Sequence, residues 1–447
     1  MNPTLGFTGV SVPMEPVLLL LLVVPLCWGH SEYQGKVVTY YRVGTNSDGT
    51  VRMVFRYKSN TVSCINSNNR CPTDGCATIS YIVTPIDKSS GGFCQVESVW
   101  TRDPSSDGPF TMESSPFDWS SPIVNEVFTA QAIILVDMRN RSDTGQANRC
   151  PQTTIQPIFG QPWNCPGPIH LLSFDPDGDL VHCRFATSSS NLNECADCTP
   201  PSVLSLSAPC SVSFSASQSS QGRYAVQMVM EDYPQTQIIL TNTNGQQEVK
   251  DPTMSISKIP VQFLFTVEPA APSCSLGLYL PLFVTPTPTH GAQISVQVEE
   301  TLYIHIEAKA SESTVSELVF SGPSRMTKAG SGGQYVLSWT PVASEEGQSH
   351  PVCFNVRATF MMSKFTSSLR CVVLNVKKKI KEVQTFKVWM SSSALLSDEA
   401  MRTALLGQIR MELEKNKLPS DISVRLSNVI QAIPTAESPP RGGCPNV

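Results

Sequence analysis

Charge is scarce in this sequence. Asp, Glu, Lys and Arg make up 15 % of its 447 residues, against about 25 % in ordinary soluble domains. The balance is 32 basic against 37 acidic residues, a net of −5. A nucleic-acid binder should carry a basic patch or stripe, so this charge argues against one. Long apolar runs are scarcer still. The longest, Val17 to Trp28 (VLLLLLVVPLCW), holds 12 residues, short of the roughly 20 that a helix needs to cross a bilayer. Leu276 to Val284 is nine residues and contains Pro281. The C-terminal PPRGGCPNV offers no apolar tail for a lipid anchor. Neither a membrane span nor an anchor is expected. Catalytic motifs are missing too: there is no GxSxG, HExxH, P-loop or strand-borne GxGxxG. Histidines number six. The expectation is a protein that is not an enzyme, although a Ser/His/Asp triad is recognised by geometry and could still form.

Hydrophobic residues reach 40 %, enough for real cores. The apolar run at Val17–Trp28, followed by Gly29 and Ser31, reads as a signal-peptide h-region cleaved after Gly29, giving residues 1–29 as the signal. Residues 1–16 lack Lys and Arg, and Met14 is an alternative start. The mature chain is expected to be secreted and extracellular. Removing Cys27 leaves 14 cysteines, an even number that suggests seven disulfides. Cys64, Cys71, Cys76 and Cys94 form one group, and Cys150, Cys165, Cys183, Cys195, Cys198 and Cys210 a second. Each can close within its own domain. Cys274, Cys353 and Cys371 cannot, so one of them pairs with Cys444, pairs with another chain, or stays free. Cys195-Ala-Asp-Cys198 is a CxxC whose rival reading is zinc, but zinc needs two more ligands at suitable spacing.

The 35 prolines and 26 glycines fall largely between apolar runs, which favours many short strands. The fold class expected is mainly β, with tandem antiparallel β-sandwich modules and a small C-terminal β-α-β unit. Residues 33–118 read as a first β module, with alternation in KVVTYYR (36–42) and VRMVFRY (51–57) around the turn Asn46–Gly49. The Ser-, Asp- and Pro-rich stretch 102–122 reads as a linker. Residues 120–269 form a second module, Glu268–Pro272 a linker, and 273–377 a third with about six strands, a sandwich-like count. Ser213-Phe214…Gly222 and Ser338-Trp339…Gly347 are both offset by 125, so the second and third modules read as a duplication. In the tail, 378–435, Met401, Leu405, Ile409 and Leu413 stand at i+4 steps behind an N-cap at Ser397, flanked by strands at 383–390 and 422–433. Residues 436–447 read as a disordered end.

Asp175-Pro-Asp-Gly-Asp179 is the most specific motif. Calcium takes six to eight oxygens, and Asp175, Asp177 and Asp179 alternate around a tight turn, with Glu231 and Asp232 as further ligands. A polar β-turn is the competing reading. An EF-hand is excluded because Ala186 stands where the bidentate Glu belongs. His170 and His182 flank this loop. Asn140-Arg-Ser142 is an N-glycosylation sequon.

FDPDGD followed by G-x-Y-x-V and a later Asp is similar to cadherin-like repeats, and LSWTP…EEG…VCFNVRA (337–358) resembles Ig-like repeats. Together the modules resemble the N-terminal, non-enzymatic part of secreted proteins of the von Willebrand factor D and EGF domain-containing type, although neither of those domains stands in this sequence. The resemblance covers about residues 125–377. It implies an extracellular binding, adhesion or matrix component with a protein or glycan ligand, an analogy of fold that does not by itself establish function. The lone Cys444 in a Pro/Gly stretch points to an interchain disulfide or to a piece of a larger protein. A secreted hydrolase is the remaining alternative.

Overall fold

Period-2 burial marks several strands of this protein, 129–136 and 334–339 among them, seen in a computed structural model. The structure describes residues 33–47, 50–62, 82–89, 93–154, 158–189, 192–208, 210–379 and 399–415. It divides into two units, residues 1–380 and 381–447.

The first unit is built of strands. They begin with β1 (Tyr33–Thr45), β2 (Val51–Thr61), β3 (Ile82–Ser89), β4 (Phe93–Arg102), β5 (Phe110–Asp118), β6 (Thr129–Val136) and β7 (Asn140–Arg141). Next come β8 (Ile158–Pro162), β9 (Gly167–Ile169), β10 (Leu180–Phe185), β11 (Ser188–Ser189), β12 (Leu192–Asn193), β13 (Leu204–Ser207), β14 (Ser211–Phe214), β15 (Gly222–Tyr233), β16 (Ile238–Thr241), β17 (Gln247–Lys250) and β18 (Lys258–Glu268). The last nine are β19 (Leu282–Val284), β20 (Ala292–Gln297), β21 (Leu302–Lys309), β22 (Thr314–Ser321), β23 (Thr327–Ser331), β24 (Gln334–Trp339), β25 (Ser349–Phe360), β26 (Ser363–Thr366) and β27 (Arg370–Lys377).

The fold is mainly β with several antiparallel sheets, as the alternation predicted. Its largest sheet runs β10-β15-β18-β1-β2-β4-β3. Strand β18 is the hub. One edge pairs with β15 from Lys258 to Val267. The other is shared by three strands: β6 at Lys258, β1 at Val261–Phe263 and, in parallel, β8 at Leu264–Glu268. Central position explains its composition. IPVQFLFTV is buried on both faces, whereas the flanking β6 alternates strictly. Gly35 lets β1 reach β18. Its φ is +140°, and a Cβ there would lie 2.2 Å from the Gln262 carbonyl oxygen.

This sheet revises the expected organisation. Strands of 33–118 and 120–269 belong to one sheet and one core. The supposed linker 102–122 contains β5, which pairs with β6 across a bulge between Ser114 and Phe117. Phe110, Met112 and Phe117, scattered among Ser and Asp, give that strand enough apolar surface to hold.

Residues 282–377 form a separate sandwich, β19-β21-β24-β23 against β20-β27-β25-β22. Its plan repeats that of the second module. β14 and β24 end on the buried Phe214 and Trp339, and short 3-10 turns follow at 218–220 and 343–345. β15 lies between β10 and β18 as β25 lies between β22 and β27, while β8 and β20 run parallel to β18 and β27. In the second unit, α1 (Glu399–Lys415) is the helix expected from the i+4 spacing. The signal segment, Ser397, the strands expected at 383–390 and 422–433 and the end 436–447 lie outside the described residues.

Disulfides cross-link the first unit differently from the expected grouping. Cys183–Cys210 and Cys195–Cys198 close within the second module and Cys353–Cys371 within the third, but Cys165 pairs with Cys274 across the linker between them. Asn164 reinforces that link by exchanging two hydrogen bonds with the Ala271 backbone. Cys150 is therefore free, a correction to its expected bridge. Its Sγ is buried against β1, 3.3 Å from the Tyr40 nitrogen and 3.2 Å from the Tyr40 oxygen, and burial raises its pKa. Cys94 is disulfide-bonded, while Cys64, Cys71, Cys76 and Cys444 lie outside the described residues.

Replacing Cys165 and Cys274 together by Ala should destabilise the protein by about 2–4 kcal/mol, because the bridge restrains the unfolded chain. Calorimetry of the double variant checks this; an unchanged transition would contradict it.

Candidate metal centre

The Asp175–Asp179 loop joins β9 to β10, and its shape follows from its residues. Asp175 Oδ1 accepts from the Asp177 and Asp179 backbone nitrogens at 2.8 and 3.3 Å. Gly178, at φ +88°, completes the turn. β15 ends beside it and delivers Asp232, fully buried. Carboxylate oxygens of Asp175, Asp179 and Asp232 lie within 4.8 Å of one another. Calcium–oxygen bonds are 2.3–2.6 Å, so one ion can reach all three.

The five expected ligands do not all converge. Glu231 neighbours Asp232 in β15 and so points to the opposite face, where it pairs with Arg184 at 3.0 Å and Lys258 at 2.9 Å. Asp177 turns towards Arg149, whose backbone N–H and Nε donate at 2.7 and 2.8 Å. His182 packs on Tyr233, ring centroids 4.6 Å apart, and His170 on His290 at 6.0 Å. Neither belongs to the cluster of carboxylates.

Two arginines that sequence reasoning missed complete the surroundings. Arg141 is buried and clamps Asp179 with both terminal nitrogens while also binding Asp143. Burial opposes its charge, but Asp143 and Asp179 more than offset that and raise its pKa. Asn148 ties the parts together, accepting from Arg141 at 2.8 Å and donating to Asp232 at 3.2 Å. Asp232 also accepts from the Ser257 nitrogen and hydroxyl at 2.6 and 2.8 Å. Arg141 stands inside the sequon, so spacing alone marked only its neighbour. Asn140 is exposed on β7 with Arg42 Nη1 3.5 Å from its Oδ1.

Donors therefore satisfy most of the cluster, with one exception. Asp175 Oδ2 is buried and has no hydrogen-bond partner. The two arginines face four aspartates, 175, 177, 179 and 232, so excess negative charge is held out of water. Such a charge has two resolutions, a proton or a cation. Burial, then Asp232, Asp179 and Asp177, raises the Asp175 pKa well above the usual range. Burial raises Asp232 to about 7 against the hydrogen bonds from Ser257. An all-oxygen donor set suits a hard cation, calcium above zinc or copper.

Nucleophile chemistry has a poorer setting. Lys36 and Ser114 are hydrogen-bonded, and burial lowers the lysine to about 7. Both are buried, however, with Lys36 beneath the rings of Tyr33 and Phe117.

No known protein family matches the chain, and no curated protein matches it either. Solved structures overlap it weakly. One is the endo-fucoidan hydrolase MfFcnA4 of glycoside hydrolase family 107, 13 % identical over 73 % of this chain and 42 % of its own, TM-score 0.19. Fibronectin(III)-like modules of Clostridium thermocellum CbhA are 13 % identical over 53 % and 98 %, TM-score 0.19. The human desmocollin-1 ectodomain is 13 % identical over 70 % and 59 %, TM-score 0.18. The chain spans about two fifths of the hydrolase's length. Overlaps this low carry no functional argument, and the fold assignment stands on the sheets themselves.

Without metal, the folded state should hold more protons than the unfolded chain between the ordinary Asp pKa, about 4, and about 7. Stability in chelator should therefore fall as pH rises through that window. Asp175→Asn, whose amide cannot ionise, should raise the melting temperature in chelator at pH 7.5 and flatten the dependence. Thermal melts across pH check this, and a lower melting temperature for the variant would contradict it.

Proposed function

We propose that the chain is a secreted, non-enzymatic extracellular binding or adhesion component whose second sandwich binds calcium through Asp175, Asp179 and Asp232. The carrying observation is the buried Asp175 Oδ2, which has no donor and faces two further carboxylates. The disulfides, four of them between described residues, support an oxidising, extracellular setting. Among the described residues no helix is long and apolar enough to cross a membrane. The cation links the loop before β10 to the end of β15, so it acts as an electrostatic staple at one end of the sandwich. Loops at such ends are where ligands, protein or glycan, are usually met. Asn140 would carry an N-glycan near that end, since its neighbour Arg141 contacts Asp179. The resemblance to the N-terminal part of von Willebrand factor D and EGF domain-containing type proteins gives this reading its setting, a non-catalytic region of a larger assembly.

Calcium should raise the melting temperature relative to chelator at pH 7.5, with magnesium, which demands tighter octahedral geometry, less effective. The triple variant Asp175→Asn, Asp179→Asn, Asp232→Asn should show no calcium response. Equal melting temperatures of the native protein in calcium and in chelator would refute the calcium site.

A further inference from the structure

The junction between the large sheet and the third sandwich joins apolar contacts, where Cys353, Leu369, Cys371 and Val373 enter the large sheet's core, to a buried polar patch. Ile86 of β3 enters the third sandwich's core. Beside it, Asp87 accepts from the Phe320 nitrogen at 3.2 Å and from Lys328 at 2.9 Å, and Glu97 accepts from the Ser324 nitrogen at 3.1 Å. Arg56 of β2 also reaches across. Its Nη2 donates to Gln348 at 2.7 Å, and its Nη1 lies 2.9 Å from His350 Nδ1.

An arginine can only donate, so His350 Nδ1 must present a lone pair. The ring is 3 % exposed and packs on Trp339 at 4.8 Å, and Nε2 has no partner. We propose that His350 is a proton-operated latch: neutral, it accepts Arg56 and closes the junction; protonated at Nδ1, it releases Arg56 and opens it. Protonation removes the accepting lone pair and sets two cations side by side out of water.

Among the described residues no carboxylate stands within ion-pair distance of His350, although Glu97 Oε1, in the same cavity, has no hydrogen-bond partner. Lys58 stands beside Arg56 on β2 and lines the same small cavity, about 20 Å³, together with Glu97 of β4. Glu97 and Glu345 each approach Arg56 at 3.7 Å. Glu345 is also held by Arg325 at 2.8 Å and by the Val342 nitrogen at 2.8 Å. Burial first, then Arg56, Lys58 and Arg325, lowers the His350 pKa well below 6.5. An opened junction would let the imidazole take a proton near pH 6.5, whereas the closed one resists it. Closure is thus fully favoured above about pH 6.5 and weakens about tenfold per pH unit below it, until the closed-state pKa is reached. The Cys165–Cys274 bridge keeps the opened parts tethered.

Ser324 and Phe320 amides donate across the junction, so their hydrogen exchange, corrected for intrinsic rate, reads its opening. Opening at these amides should rise about tenfold between pH 6.5 and 5.5, while amides in the β15–β18 ladder stay constant. His350→Asn keeps an acceptor near Nδ1 but cannot titrate, and its profile should be flat. A flat native profile, or a variant that follows the native slope, overturns the latch. If the variant does not fold, the His350 ring signal of the native protein decides. Slow exchange between a neutral closed form and a protonated open form below pH 6 is expected. Simple titration near 6.5 with no change at Ser324 overturns the proposal.

Discussion

One strand edge carries the architecture. β18 offers β15 one whole side and divides the other among β6, β1 and β8. β18 has no free edge and is buried on both faces as well, and that second fact is why its apolar residues are nearly continuous. The N-terminal hairpin joins this hub where Gly35, Lys36 and Val37 pair with β18, and at Gly35 any side chain would strike the Gln262 carbonyl. From there β2 and β4 carry the sheet outward to Arg56 and Glu97, the groups that meet the third sandwich. The junction depends on that placement.

The second and third sandwiches show how a repeated plan can diverge. Phe214 and Trp339 occupy the same topological place, as do the paired central strands after them. In the second, the loop before the equivalent of β22 carries three aspartates. In the third it carries Ala308-Lys-Ala-Ser-Glu312, and Arg357 of β25 pairs with Glu317 rather than joining a carboxylate cluster. Packing constrains the core positions in both copies, whereas the loops are free to hold buried charge in one and none in the other.

Much of this was legible from the sequence. Alternation marked β1 and β2, and the 125-residue offset marked the repeated plan. The aspartate loop was visible because its turn chemistry is local. What escaped depended on contacts distant in sequence. Cys165 and Cys274 are 109 residues apart, and spacing says nothing about which half-cystines meet. β5 was hidden because a bulge breaks its alternation and Ser and Asp surround its apolar residues. Arg141 and Arg149 could not be assigned to Asp179 and Asp177 because isolated arginines carry no pattern. Glu231 and Asp232 looked equivalent as neighbours, yet adjacent residues in a strand face opposite ways.

The central claim is that β1–β6 share one cooperative sheet with β8, β10, β15 and β18 and do not form a module apart. Native-state hydrogen exchange tests it most directly, since cooperative units open with a common free energy. The account predicts that the most protected amides of β1 and β2 open together with those of β15 and β18. Opening of β1 and β2 at a clearly lower free energy, with β15 and β18 still protected, would contradict it.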